Sequence, residues 1–288
     1  MTNPTPRPAR RLRRSLTSKA LAAALVAPLA PAAVAAAATP ALADPSGVAF
    51  DYADCPDMLP VGADPGQWIC ENIVIPEGSM KIGSIDQPLT AATAMRITAI
   101  SGTDPRTGDT RTIVESVKSA PMTVAGGALG IPGSDDLLPL LKLQVQPVYA
   151  GNFTMRFTED GMGINSTIDL RIKVINALMD KNCSVGTAAA PVKLNLNADM
   201  DTFTWYDDAL GVTVHDNAFS APATSGCGLL APIADLRSGL PSASGKNSAT
   251  FRLYLASKSY TELFPTLKSQ VKTYKKVAPL GEPKLLRK

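Results

Sequence analysis

The chain has 288 residues, with 28 basic and 25 acidic side chains, one histidine and four cysteines. Six of the basic residues, Arg7, Arg10, Arg11, Arg13, Arg14 and Lys19, lie in the first 43 positions with no acid among them; without that segment 22 basic residues face 25 acidic ones, a net charge of −3. The basic balance therefore gives no reason to expect nucleic-acid binding, and a single histidine removes most acid–base and metal chemistries.

Residues 1–43 read as an export signal. The basic start leads into an Ala-rich apolar segment from Ala20 to Ala38, and Ala41-Leu42-Ala43 supplies the small-x-small pattern for cleavage between Ala43 and Asp44. A membrane anchor is the competing reading, but Pro28 and Pro31 interrupt the segment, which is short and Ala-rich for a span. Arg13-Arg14 invites a twin-arginine reading that its flanks match poorly, so the export route stays open. No later apolar run is long enough to cross a bilayer, so the exported chain is expected at the cell surface or in the medium.

Residues 44–257 read as one β-rich domain, either a single antiparallel sandwich or two packed halves with a seam near Ala120–Pro139. Asp44 to Asp54 predicts a first short strand, with Val48 and Phe50 on one face. The Pro- and Gly-rich segment from Cys55 to Cys70 predicts an irregular loop with Trp68 packed on its own disulfide. Glu71 to Thr90 predicts two short strands joined at Pro76-Glu-Gly78. Met95 to Ala99 and Arg111 to Val117 predict a hairpin across the surface turn Asp104–Asp109. Gly126-Gly127 and Gly130 predict a turn with positive φ, and Ser134 an N-cap for a helical turn to Leu138. Leu141–Val148 and Phe153–Phe157 predict strands either side of Gly151-Asn152.

The clearest strand is Ser166–Ile175, where Ile168, Leu170, Ile172 and Val174 alternate with Asp169, Arg171 and Lys173. That alternation marks a strand with one buried face. Val192, Leu194 and Leu196 predict another. Phe203–Tyr206 and Gly211–Val214 predict a pair across Asp207-Asp208. Leu229–Leu236 suits one or two helical turns, and Ala249–Leu255 a closing strand with Phe251, Leu253 and Leu255 inward. Ten to twelve short strands with few helices give an all-β, antiparallel sandwich class. From 258 to 288 the chain reads as a basic tail. The plain reading of that tail is a solvated segment; the functional one is attachment to anionic cell-wall polymers.

Four cysteines in an exported chain imply disulfides. Three connectivities exist, and Cys55–Cys70 with Cys183–Cys227 is favoured because each pair brackets one loop-rich segment. A zinc site lacks a C-x-x-C pair and a second histidine. His215 falls between Val214 and Asp216, on the wet face of its strand, and no G-x-S-x-G elbow accompanies it. Ser269-Gln-Val-Lys272 matches S-x-x-K but lies in the tail. Gly239-Leu-Pro-Ser-Ala-Ser-Gly-Lys-Asn247 is one residue too long for a P-loop and ends in Asn. Asp199, Asp201, Asp207 and Asp208 around Trp205 are candidate ion or ligand contacts, for calcium or for a sugar. No cofactor, metal ion or catalytic residue is expected.

Several motifs resemble a family of exported, functionally uncharacterised proteins of actinomycetes. They are Cys55-Pro, Gly62-Ala-Asp-Pro-Gly-Gln-Trp-Ile-Cys70, Gly126-Gly-Ala-Leu-Gly-Ile-Pro132, Lys181-Asn-Cys-Ser-Val-Gly186, Pro191-Val-Lys-Leu194, Asp216-Asn-Ala-Phe-Ser-Ala-Pro222, Thr224-Ser-Gly-Cys-Gly228 and Gly239–Ala249. The resemblance covers residues 55–255. It implies an extracellular β-domain with Cys183 paired to Cys227, and no activity. The function expected is that of a non-enzymatic cell-envelope or extracellular protein acting in structure or interaction. The alternative is a binder of a small apolar ligand such as a lipid, motivated by Phe153, Met155, Phe157 and Met162; a hydrolase of envelope polymers through paired acids ranks behind both.

Overall fold

The structure is a computed structural model that describes residues 47–158 and 163–265. The export segment with Ala43 and Asp44, the residue Met162, and the tail beyond 265 with Ser269 and Lys272 lie outside the described residues.

The fold is all-β and antiparallel. Twelve strands belong to one hydrogen-bonded sheet, curled into a half-barrel. In chain order they are β1 (Trp68–Ile82), β2 (Ile85–Leu89), β3 (Met95–Thr103), β4 (Thr110–Lys118), β5 (Met122–Thr123), β6 (Gln144–Phe157), β7 (Ile164–Ile175), β8 (Ser184–Val185), β9 (Val192–Trp205), β10 (Ala209–Asp216), β11 (Thr224–Ser225) and β12 (Ser248–Ser259). Three short helices interrupt them, α1 (Ser134–Leu137), α2 (Ala231–Ser238) and α3 (Tyr260–Leu263). The strands lie in the order β11-β8-β7-β9-β10-β12-β1-β3-β4, with β2 beside β1 and the β5-β6 pair on the other edge of β7. Where the curled sheet comes back on itself, side chains bridge it. Gln146 Nε2 donates to the Ser119 carbonyl at 2.7 Å, and Ser119 Oγ donates to the Pro147 carbonyl at 3.1 Å.

The concave face carries the main core, and β7 lines it as its alternation dictates: Ile168, Leu170, Ile172 and Val174 are all buried. Burying one such side chain contributes about 1.5–3 kcal/mol. A second, smaller core lies on the outer face of β1 and β3. There Trp68, Cys70, Ile100 and Tyr260 pack with Cys55, and the Trp68 indole donates to the Thr103 carbonyl. Gly102 stands opposite Trp68 in the β1–β3 ladder, and any Cβ there would run into the indole.

Both favoured disulfides are formed, Cys55–Cys70 across 15 residues and Cys183–Cys227 across 44. In the chain-entropy picture they contribute about 3 and about 4 kcal/mol.

Several local expectations differ from the structure. Residues 47–54 form no strand; they run beside the sheet, where Arg96 donates to the Ala49 carbonyl and Asn72 to that of Asp51. The two strands expected around Pro76 are one strand, β1, with a register shift between Val74 and Glu77. A bulge absorbs the missing N–H of proline without ending the strand. The strands either side of Gly151-Asn152 likewise merge into β6 through register shifts between Tyr149 and Phe153, with Asn152 at φ 53°. The N-cap of α1 is Gly133, not Ser134, whose hydroxyl instead donates to the Gly126 carbonyl. No seam divides the sheet at 120–139; that segment carries the chain from β4 to β6. At the C-terminal side β12 runs on to Ser259, and Ser259 and Glu262 form a capping box for α3 that seats Tyr260 in the smaller core.

Candidate functional site

One end of the half-barrel is not closed by strands. Three loop segments gather there: the β5–β6 connection, the β7–β8 turn, and the stretch from β11 through α2. Each carries large apolar side chains that reach water. Leu129 and Leu140 come from the first, Leu178 from the second, and Leu229, Ile233 and Leu236 from the third. Exposure runs from 54% for Leu129 and Leu140 to 98% for Leu229.

Below this fringe lies an apolar cleft of about 220 Å³ between α2 and the 128–143 segment. A narrower one of about 50 Å³ continues between the β1–β2 hairpin and β5–β6, and the two share Ile85, Val145, Val185 and Ser238. A third, of about 30 Å³, lies in the concave core and is lined by Phe153 and Met155 of β6 with Leu253 and Leu255 of β12. β7 passes all three: Val174 lines the mouth cleft, Ile172 the second and Ile168 the innermost. The innermost shares no lining residue with the other two, so the apolar track is the mouth cleft and the second one, passing Val174 and Ile172.

Two residues that line the mouth cleft each carry a polar atom without a partner. Arg237 Nε and Thr224 Oγ1 are both buried atoms without a hydrogen bond. The Arg237 guanidinium has no ion pair among the described residues. It lies against Gly130, at φ 71°, where an added Cβ would stand 2.6 Å from Nε and push the guanidinium aside. Thr224 is fixed through its backbone, its N–H donating to Asp235 Oδ1 at 2.7 Å.

The last turn of α2 is held from behind. Gly239 caps it at φ 66°, and the β1–β2 turn clasps it: Ser84 N–H donates to the Ser238 carbonyl at 2.9 Å and Ser84 Oγ to that of Arg237 at 2.7 Å. Asn247 anchors that turn in its own right. Its Oδ1 accepts from Gly83 N–H at 2.8 Å and from Ser242 Oγ at 2.6 Å, while Nδ2 donates to the carbonyls of Phe219 and Ala243. The Gly239–Asn247 stretch, one residue too long for a phosphate loop, thus ends in a structural clamp. The Cys183–Cys227 bond ties together the β7–β8 and β11–α2 segments that frame the mouth, and Gly226 packs on the Asn182 carbonyl where a side chain would clash.

The acidic group expected around Trp205 does not converge. Asp199 and Asp201 lie within β9, Asp207 and Asp208 at its far turn, and Trp205 is 73% exposed with its edge toward Phe203. Among the described residues no three His, Cys, Asp or Glu side chains are grouped to hold a metal ion, and no helix is long and apolar enough to cross a membrane. His215 is half-buried on β10, opposite in facing to the buried Val212 and Val214. Burial raises two carboxyls outside the cleft, Glu71 and Glu115, Glu71 being partly relieved by a 2.7 Å hydrogen bond from Ser101.

Sequence reading missed Arg237, Thr224, Ile85 and Ala234. The usable signal was Leu129, Ile131, Leu138, Leu140 and Leu141 in a segment too rich in Gly and Pro to be core strand or helix. No family model, curated protein or solved structure matches the chain.

Proposed function

We propose that this is an exported, non-enzymatic carrier of a small apolar ligand with an extended chain. The observation that supports it is the continuous apolar track along β7, open to solvent at one end and fringed there by exposed Leu and Ile side chains. Such a fringe lets an apolar ligand enter without fully crossing water, because the side chains at the mouth shield its first methylenes. Each methylene that leaves water for the track contributes about 0.8 kcal/mol. The two formed disulfides favour an oxidising compartment. Between a purely structural module and a carrier, the track favours the carrier, since a structural module has no use for unfilled apolar volume.

The test is fluorescence titration with N-phenylnaphthylamine, a neutral apolar probe. Saturable binding is expected, and Ala234→Trp, which fills the mouth from half-exposed α2, should weaken it at least tenfold. A probe that never saturates, or that binds a natively folded Ala234→Trp protein as before, refutes the proposal.

A further inference from the structure

Resting on the carrier reading, we infer that the ligand is a long-chain carboxylate, its head group held by Arg237 and Thr224 at the mouth and its chain directed along β7. The cleft is otherwise almost wholly apolar, so two unpartnered buried hydrogen-bonding groups on its wall need an explanation. Burying a hydrogen-bonding group without a partner is unfavourable by about 1–3 kcal/mol, and more for a charged one. A guanidinium presents a planar fork of donors suited to the two oxygens of a carboxylate. Thr224 adds a hydroxyl that donates to the same head.

Three features show that the arginine is placed rather than trailing. Gly130 gives the guanidinium a flat bed, where even a methyl group would strike it. The Arg237 carbonyl is tied to Ser84 Oγ, which fixes the backbone from which the side chain extends. Asp235, two residues earlier on α2, accepts from the Thr224 N–H and forms no ion pair with Arg237. A head group bound there leaves its chain beside Val174 and Val185, the route to the inner cleft. A hydrocarbon leaves both polar groups unsatisfied, an ester offers them only a neutral acceptor, and a charged amine is repelled by the arginine.

The test compares palmitate with its methyl ester as competitors of N-phenylnaphthylamine on the full chain, in wild type, Arg237→Met and Thr224→Val. Methionine keeps the stem packing and removes only the fork. Wild type is expected to prefer the acid over the ester by about ten- to hundredfold, the range of one charge-assisted pair. Arg237→Met should abolish that preference by weakening the acid much more than the ester, and Thr224→Val should reduce it in part. Equal binding of acid and ester by wild type overturns this inference and spares the carrier reading, as does an Arg237→Met protein that loses both equally. If neither competitor nor probe binds, both fall.

Discussion

Asn247→Ala should cost about 3–5 kcal/mol of stability. The side chain is 3% exposed and makes four hydrogen bonds, to Gly83 N–H, Ser242 Oγ and the carbonyls of Phe219 and Ala243. At a net contribution of about 0.5–1.5 kcal/mol each, the set amounts to about 2–6 kcal/mol. Truncation also leaves the buried partners without substitutes, which lifts the expectation clear of the lower end of that range. Urea unfolding followed by far-UV circular dichroism gives the number. Asn247→Asp sharpens the test. Its carboxylate still accepts from Gly83 and Ser242 but faces two carbonyls with no proton to give. The protonated acid donates to one of them, so the folded state raises the pKa of Asp at this position. The folded protein then holds the proton more tightly than the unfolded chain, and its stability relative to wild type falls as pH rises through that interval. A loss below about 1 kcal/mol in Asn247→Ala, against the contributions just worked, or an Asn247→Asp protein whose deficit is the same at acid and at neutral pH, would refute the clamp.

Other perturbations probe separate parts of the fold. Burial raises the Glu71 carboxyl, so wild type loses stability as pH rises above the ordinary glutamate range; Glu71→Gln, which keeps an acceptor for Ser101, should remove that loss, and matching pH–stability curves for the two proteins would be contrary evidence. Replacing Cys183 and Cys227 by serine should cost about 4 kcal/mol on the loop-entropy scale, and it should weaken N-phenylnaphthylamine binding because the bond frames the mouth; serine in place of Cys55 and Cys70 should destabilise with no such effect on the probe. Gly102→Ala should force the buried indole of Trp68 aside at about 1–3 kcal/mol, seen as a loss of near-UV ellipticity; an unchanged spectrum would mean that the indole does not rest on Gly102.

The strands with strict alternation were legible in the sequence because their two faces meet different surroundings. The alternation of Ile168, Leu170, Ile172 and Val174 with charged neighbours is enough to say which way β7 faces. The disulfide pairing was legible because each bond closes a local loop-rich segment. The length of β1 and β6 was not. Pro76 and Gly151 read as strand ends, yet in a continuous sheet a bulge costs less than breaking the ladder on both sides. Ser259-Tyr-Thr-Glu262 carried a capping-box signature that the basic surroundings obscured. The cleft was hardest to foresee. Arg237 is an ordinary helix-terminal arginine by sequence, and its meaning depends on Gly130, far earlier in the chain, which meets it only through the curl of the sheet. The aspartates near Trp205 misled in the opposite way, because closeness in sequence along an extended hairpin spreads side chains apart.

The most direct test of the apolar track is photolabelling with a fatty acid that carries a diazirine at the far end of its chain, followed by peptide mapping. A carrier places the label on β2 and β6–β8, around Ile85, Val145, Ile172 and Val185. Labels gathered on the Trp205 hairpin, or scattered over the outer face of the sheet, would contradict it.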